Sequence, residues 1–322
     1  MAIFDLGYPP SQYQSARPGF HGTSLQAFFE VFPNDDACLE YLFRLRFGGD
    51  PICPRCGKRG RWRRYAWQKH YFHPCGGIIS PMAGTALSRT HIPVQLWFYA
   101  MLHFANSAQS ISSSFLARQL GVSQPTAYRI SSRIRYHLAA IDHGKKLGGA
   151  GNEVAIKLVK VLRIVNRETN VQNSAMLLIL CDDHQANATV IVKPRQKNML
   201  PVLKNKTLEG SKFITDCYWT HRSITGYTSR TNKVEFIPDY YYSEINNHKN
   251  GLFQYFSLSF ADQFKGVGLK NAWLYLKEYE FRYNRRANSA HTFWDMVDHF
   301  PLFSVAAFEQ MRAANFIPRA GQ

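Results

Sequence analysis

The sequence predicts an α/β protein in which a basic, helix-rich N-terminal half precedes a strand-led C-terminal half. Three observations predict it. A Cys-x-x-Cys pair, Cys53 and Cys56, sits in a short segment dense in Gly, aromatic residues and Arg. Apolar residues recur near helical spacing from 24 to 46 and again from 93 to 137. After a Gly-rich stretch, β-type runs give way to helical ones, the order of an α/β domain.

A chain of 322 residues corresponds to about two domains of roughly 150 residues each. Its 45% hydrophobic and 19% charged residues exclude wholesale disorder. No run approaches about 18 uncharged apolar residues, so neither a membrane span nor a membrane partner is expected. The N-terminus, MAIFDLGYPPSQYQ, lacks the basic-then-apolar order of a signal peptide. An intracellular location is therefore expected: cytoplasm and nucleoid in a bacterial host, nucleus in a eukaryotic one. In such a reduced compartment the Cys-x-x-Cys pair points to a metal or redox role rather than to disulfides.

The net charge of +17 is unevenly spread. From Pro51 to Ile141 there is no Asp or Glu, while Arg55, Lys58, Arg59, Arg61, Arg63, Arg64, Lys69, Arg89, Arg118, Arg129, Arg133 and Arg135 all fall there. A merely solubilising surface mixes both signs. A one-signed folded surface suits a polyanion, because each neutralised phosphate releases condensed counterions. Double-stranded DNA is the expected partner, and no small-molecule substrate is expected.

Residues 1–22, rich in Pro, Gly, Ser and Tyr, are expected to form a flexible arm, and 23–92 a helical lead-in with a zinc-ribbon-like module. Between Ser24 and Arg46 two short helices should be broken at Pro33, with Asn34, Asp35 or Asp36 capping the second. The segment from Cys53 to Cys75 is too short for a core of its own and needs a staple. Cys53-Pro-Arg-Cys56-Gly57 is a zinc knuckle: two thiolates on a tight turn meet one tetrahedral Zn²⁺, and Gly57 lets the backbone turn beneath it. A ribbon wants a second ligand pair about 15–20 residues on. Cys75 supplies one ligand, but Phe72 stands where a second Cys would be. His73 and His70 are the substitutes, and the expected structural site is Cys53, Cys56, His73 and Cys75. Arg55, Arg59, Arg61, Arg63 and Arg64 surround it as candidate DNA contacts.

Residues 93–144 are expected to form a helix-turn-helix module. Pro93 to Asn106 reads as a buried helix. Phe115, Leu116 and Leu120 then form an apolar face, Gly121-Val122-Ser123 a turn, and Ala127, Ile130, Ile134 and Leu138 the inner face of the next helix. The outer face carries Gln124, Thr126, Arg129 and Arg133, with Arg135 also assigned to a polar face. The N-terminal members of this set are the base-reading candidates. Lys145 to Gly151 reads as a linker. Residues 152–300 begin with β-type runs at Val154–Val165, Ala175–Leu180 and Ala188–Val192. The last two are joined at Asp182-Asp183-His184. Short runs end at Asp216 and Pro238, and helices are expected at about Asn250–Phe264 and Leu269–Arg286. Three adjacent strands, two more, then helices is the order of an RNase H-like domain. Asp216, ending an apolar run, is a candidate ligand for the divalent metals of phosphoryl transfer. Residues 301–322 are expected to be a C-terminal tail.

The order of these features resembles the ISXO-type insertion-sequence transposases, relatives of the Merlin transposons. The resemblance rests on the knuckle, Ala83-Gly84-Thr85-Ala86 leading to Pro93 and Trp97-Phe98-Tyr99-Ala100, the helix-turn-helix, and Thr215-Asp216 before Gly226-Tyr227. Its most specific part is Glu278-Tyr279-Glu280-Phe281-Arg282-Tyr283-Asn284-Arg285-Arg286. It covers roughly residues 34–300. The resemblance implies a ribbon-bearing DNA-binding module and a DDE transposase-type RNase H-like domain that cuts and joins transposon ends with Mg²⁺ or Mn²⁺, working as a homodimer. Within the same run, Arg282, Arg285 and Arg286 form a basic cluster that is a candidate for DNA phosphates.

The departures weigh more than the matches. Where the family's first acidic ligand stands, this chain has Ala155, with Lys157 beside it. Glu153 would face the same side but one strand step away. The third ligand is matched by Asn250, less well by Asn247, and Phe253 stands where some members have Glu. One carboxylate and one amide hold Mg²⁺ poorly. The expected protein is a transposase-derived DNA-binding protein with impaired cleavage and strand transfer. The alternatives are an active strand-transferase using Asp216, Asn250 and another first ligand, a regulatory DNA-binding factor whose RNase H-like half binds partners, and an RNA-binding ribbon protein.

Overall fold

The computed structural model describes residues 22–65, 68–107, 109–165, 172–192, 194–215, 233–236, 271–301 and 304–317. It is a mixed α/β protein of two compact units, Met1–Ile141 with Arg285–Ser304, and Asp142–Asn284 with Val305–Gln322. Packing thus divides the chain elsewhere than at the expected boundaries: 285–304 returns to the first unit instead of ending the second.

The first unit opens with α1 (Leu25–Val31) and α2 (Asp35–Phe47), capped by Ser24 and Asn34 through their side-chain oxygens. The other two cap candidates serve elsewhere. Asp35 accepts from the Gln95 amide at the start of α3 (Val94–Asn106), and Asp36 pairs with Arg64. Phe28, Phe32, Phe98, Phe293 and Trp294 interlock as tilted and edge-to-face pairs. Such pairs hold the core beyond their buried area. The last two lie in or at α8 (Thr292–Asp298), which explains why this stretch joins the first unit. Then α4 (Ser113–Leu120) ends at Gly121, left-handed at φ 65°, and α5 (Gln124–Ile141) follows. Ala127, Ile130, Ile134 and Leu138 are buried, as their spacing predicted. Arg135 is not on a polar face: it is 1% exposed, donates to the Ile111 carbonyl at 2.7 Å, and lies over Phe104.

A buried histidine and a half-buried aspartate in this unit oppose each other in their titration. His137 donates from Nε2 to the Met296 carbonyl, and burial pushes its pKa down to about 4. Asp298 accepts from the Tyr41 hydroxyl, yet burial pushes its pKa up to about 6. Between about pH 4 and 6.5 the unfolded chain protonates a histidine that folded His137 leaves neutral, so that group makes stability rise with pH. Between about pH 4 and 6 folded Asp298 keeps a proton that the unfolded chain releases, so that group makes stability fall with pH. Each contribution is about 3 kcal/mol across its window, and the two largely cancel. Asp298→Asn should therefore uncover the rising histidine limb. Denaturant midpoints at pH 4.5, 5.5 and 6.5 check this, and identical slopes in wild type and variant would refute it. Zinc affinity has its own pH dependence, but it is common to both proteins.

Among the described residues, the second unit is built on a six-stranded mixed sheet. Its strands are β4 (Glu153–Val165), β5 (Gln172–Cys181), β6 (Ala186–Ile191), β8 (Lys212–Thr215), β9 (Lys233–Phe236) and β10 (Phe316–Ile317), in the order β10-β6-β5-β4-β8-β9. β5 runs antiparallel to both β4 and β6, whereas β8 is parallel to β4, β9 to β8 and β10 to β6. Val154, Ala155 and Ile156 are all buried, which marks β4 as a strand covered on both faces. Between β6 and β8 lies α6 (Gln196–Lys206), whose Met199, Val202 and Leu203 pack on Val154, Leu178 and Phe213. Pro201 lies inside that helix, and the strand-led reading missed it.

Two expectations are corrected. The Lys145–Gly151 linker is part of the second unit: β3 (Leu147–Gly148) pairs with β7 (Thr207–Leu208). The Gly148 amide donates to Asp182, and a Cβ at Gly148 would lie 2.3 Å from the Ser211 hydroxyl oxygen, so glycine serves packing here rather than flexibility. Nor is 301–322 wholly a tail. α9 (Val305–Asn315) leads into β10, which covers the β6 edge, and Asn315 accepts 2.7 Å from the buried Lys206 ammonium. The helix read as Leu269–Arg286 is shorter, as α7 (Ala272–Tyr283), and residues Arg286–His291 form 3₁₀ turns kinked at Asn288. The expected helix at Asn250–Phe264 lies outside the described residues.

Candidate metal centre and nucleic-acid interface

Two tight turns bring four ligands together. The first is the Cys53–Gly57 knuckle, where the Gly57 amide donates to the Cys53 carbonyl at 2.9 Å and Gly57 takes φ 70°. The second is the turn of a hairpin whose strands are β1 (Tyr71–Phe72) and β2 (Ile78–Ile79). In it Gly76 donates to the His73 carbonyl and His73 to the Gly77 carbonyl, both at 2.8 Å. The side-chain ligand atoms of Cys53, Cys56, His73 and Cys75 lie within 4.8 Å of one another. Cys53 and Cys75 sulfurs are 3.5 Å apart, and His73 Nδ1 is 3.6 Å from Cys56 Sγ and 3.0 Å from Cys75 Sγ. Ligands of a tetrahedral zinc ion stand about 3.6–3.8 Å apart, given Zn–S of about 2.3 Å and Zn–N of about 2.0–2.1 Å.

The residues fit the ion in two further ways. Three soft thiolates and one imidazole form a Cys₃His set, which selects zinc over hard cations. A Cβ at Gly77 would lie 2.5 Å from Cys53 Sγ, so only glycine lets the hairpin backbone close over the cluster. Burial opposes ionisation of Cys53, yet the Cys56 and Arg55 amides donating to it hold its pKa below the ordinary thiol value. Cys75 is pushed up, by burial first and then by its thiol neighbours. A divalent cation relieves that conflict, since it takes both as thiolates. Of the two histidines left open by spacing, His73 is the one in the cluster. Its neighbour Phe72 is used by the hairpin, exchanging backbone hydrogen bonds with Arg63.

The ribbon is anchored to helix α2. Tyr71 stacks on Phe43 at 3.9 Å between ring centroids, and its hydroxyl donates to Glu40. Arg64 pairs with Asp36 at 2.7 Å and donates to the Gln68 carbonyl. Arg64 thus faces the protein, whereas Arg55, Arg59, Arg61 and Arg63 are exposed. On α5, Gln124 and Arg129 are exposed and Thr126 is half-buried, its hydroxyl oxygen accepting from Ser123. Arg133 turns inward and donates to the carbonyls of Ala86 and Ser88. Burial, then the charge of Arg129, lowers its pKa. Four of the twelve cations between 51 and 141, namely Arg64, Lys69, Arg133 and Arg135, are taken up by internal contacts. The other eight are exposed.

The remaining expected residues are scattered. Arg282, on α7, has a side chain only 8% exposed and binds the fully buried Glu278 at 2.9 Å. Arg285 binds Asp295 at 2.7 Å in the first unit, and Arg286 is exposed there. The three are therefore not one cluster on one helix, because the helix ends at Tyr283. Asp216 and Asn250 lie outside the described residues, as do Asn247 and Phe253. On β4, Ala155 is fully buried opposite Ile214, and Glu153 pairs with Lys212 at 3.1 Å.

Residues 33–72 match the family described as Transposase zinc-ribbon domain. The match covers helix α2 and the first knuckle and stops one residue before His73, so the second pair of ligands is supplied by the geometry alone. No curated protein matches the chain. Among the described residues no helix is long and apolar enough to cross a membrane.

Proposed function

We propose that this chain is a duplex-DNA-binding protein derived from an insertion-sequence transposase of the ISXO type, with impaired cleavage and strand transfer. The observation that carries the reading is the four-ligand site built on a transposase-type ribbon within a unit whose exposed cations go unopposed from 51 to 141. In this reading Zn²⁺ is structural, holding the ribbon so that Arg55, Arg59, Arg61 and Arg63 meet phosphates. Helices α4 and α5, joined at a left-handed Gly121, act as the helix-turn-helix, and α5 reads bases with Gln124, Thr126 and Arg129. The protein is a homodimer and works inside the cell, on the nucleoid or in the nucleus.

The second unit is RNase H-like in this reading. An antiparallel β4-β5-β6 meander with β8 and β9 added in parallel beside β4 supports it. Impairment is supported at β4. Ala155 offers no ligand, and Glu153 is engaged by Lys212 at the strand's first residue. Any Mg²⁺ or Mn²⁺ would rest on Asp216 and Asn250 without a first carboxylate, a poor set for a hard cation.

Mn²⁺-dependent cleavage of DNA carrying the gene's own flanking ends tests this, because Mn²⁺ tolerates imperfect ligand sets. No cleavage is expected, with end binding retained and unchanged in Asp216→Ala. Cleavage by the wild type that Asp216→Ala abolishes would establish an active transposase instead. Equal affinity for matched duplex RNA in the same salt series would favour an RNA-binding protein.

A further inference from the structure

The segment from Ser80 to Ile92 contains the Ala83-Gly84-Thr85-Ala86 motif, to which none of the roles above gives a task. It has little regular structure but is firmly held. Met82, Thr85, Ala86 and Leu87 are buried, and the Thr85 hydroxyl donates to the Met82 carbonyl while accepting from the Leu87 amide. Its carbonyl oxygens are collected by three cations from three parts of the first unit. Arg46 of α2 takes those of Pro81 and Ala83, and Arg133 of α5 those of Ala86 and Ser88. Lys69 of the ribbon takes that of Ile92 at 2.6 Å and that of Thr90 at 3.4 Å. The segment is thereby tied to the ribbon and to α5 at once.

Arg89 sits between the pinned carbonyls of Ser88 and Thr90. The Thr90 hydroxyl oxygen is itself fixed, accepting from the Trp97 indole at 3.3 Å. Arg89 adopts φ 54°, one of two non-glycine residues in the left-handed region among those described. That conformation is unfavourable for a residue with a side chain and persists only where its surroundings over-determine it. Here the carbonyls on either side do so. The result is an exposed guanidinium with no hydrogen-bond or ion-pair partner among the described residues. It follows directly on Ser88, which is bound to Arg133, and Arg129 lies one helical turn before Arg133 on α5.

We propose that the Ser80–Ile92 segment is a third DNA-contacting element and that Arg89 binds a backbone phosphate of the duplex beside α5. The proposal rests on the duplex-DNA binding put forward above. The strained turn serves to aim the guanidinium outward, and the inward-facing Arg46, Lys69 and Arg133 are positioning residues that hold the turn. A phosphate contact carries no sequence preference, so Arg89 sets the register of α5 rather than its choice of bases.

Duplex binding by full-length, zinc-loaded protein, followed by fluorescence anisotropy across a salt series, tests this with Arg89→Ala, Arg89→Gly, Arg89→Lys and Arg129→Ala. Arg89→Ala should weaken binding to mixed-sequence and flanking-end duplexes about equally, by roughly three- to tenfold near 0.1 M salt, and flatten the log–log salt slope by about one. Arg89→Lys should keep the slope. Arg89→Gly should lose the slope as Arg89→Ala does, while its thermal midpoint stays at or above that of the wild type, because glycine accepts the left-handed turn without cost. Wild-type affinity and slope in both Arg89→Ala and Arg89→Gly, with Arg129→Ala weakened, would overturn this proposal alone. A lowered midpoint in Arg89→Gly would make the side chain a structural one and overturn it too. No duplex binding by the wild type would sink the underlying reading, and the proposal with it.

Discussion

Cys56→Ser is expected to abolish zinc binding and unfold the ribbon. Among the described residues between Cys53 and Ile79, the buried ones are Cys53, Tyr71, His73 and Gly77, far too few to repay the entropy of ordering such a segment. The ion must supply the difference, and structural zinc sites contribute about 10–16 kcal/mol of apparent binding free energy in small zinc-dependent folds. Atomic emission should find one zinc per wild-type chain and none in Cys56→Ser, and limited proteolysis should then open the ribbon. A chelator should do the same to the wild type. Gly77→Ala leaves all four ligands in place but drives a methyl group into Cys53 Sγ, so zinc affinity should fall roughly 10–100-fold. Wild-type protein prepared with ample zinc that carried none, yet kept a protease-resistant ribbon, would refute the structural role.

Neutralising Arg55, Arg59, Arg61 and Arg63 together should nearly eliminate duplex binding without unfolding the protein. All four are exposed. Each phosphate contact contributes about 0.9 to the log–log salt slope, so losing four should lower it by about 3.6 and cost roughly three orders of magnitude in affinity at 0.1 M salt. Arg64→Ala is the informative control. It removes a cation from the same acid-free window, but its guanidinium group is committed to Asp36. It should reduce stability, because its partners lose hydrogen bonds, and leave the salt slope nearly unchanged. A salt slope that fell equally for exposed and inward-facing arginines would mean that total charge, and not this surface, governs binding.

Much of the architecture was legible because it follows from local rules. The Asn34 cap, one of three candidates, the Gly121 stop and the buried face of α5 depend on residues within one or two turns of each other. Strands β4, β5, β6, β8 and β9 of the second unit emerged from β-type runs, and the Cys53–Gly57 knuckle from its own spacing. Asp182 accepts the His184 and Gln185 amides and makes the turn its type and place predicted.

What sequence could not supply depends on partners distant along the chain. The sequence named His73 over His70 as the fourth ligand but not how it reaches the cluster, which the hairpin register of Tyr71 with Ile79 supplies. Gly148 read as part of a linker, because a glycine needed for close packing and one needed for freedom look alike in one dimension. The C-terminal residues read as a tail, since their short strand gains its hydrogen bonds from β6, more than a hundred residues earlier. Composition likewise counted twelve cations in the acid-free window without telling which face water. Charge, local periodicity and turn chemistry were thus set by the sequence itself. Tertiary packing alone decided the division into units and the exposed cations, because each depends on which carbonyl, carboxylate or strand edge folding brings alongside.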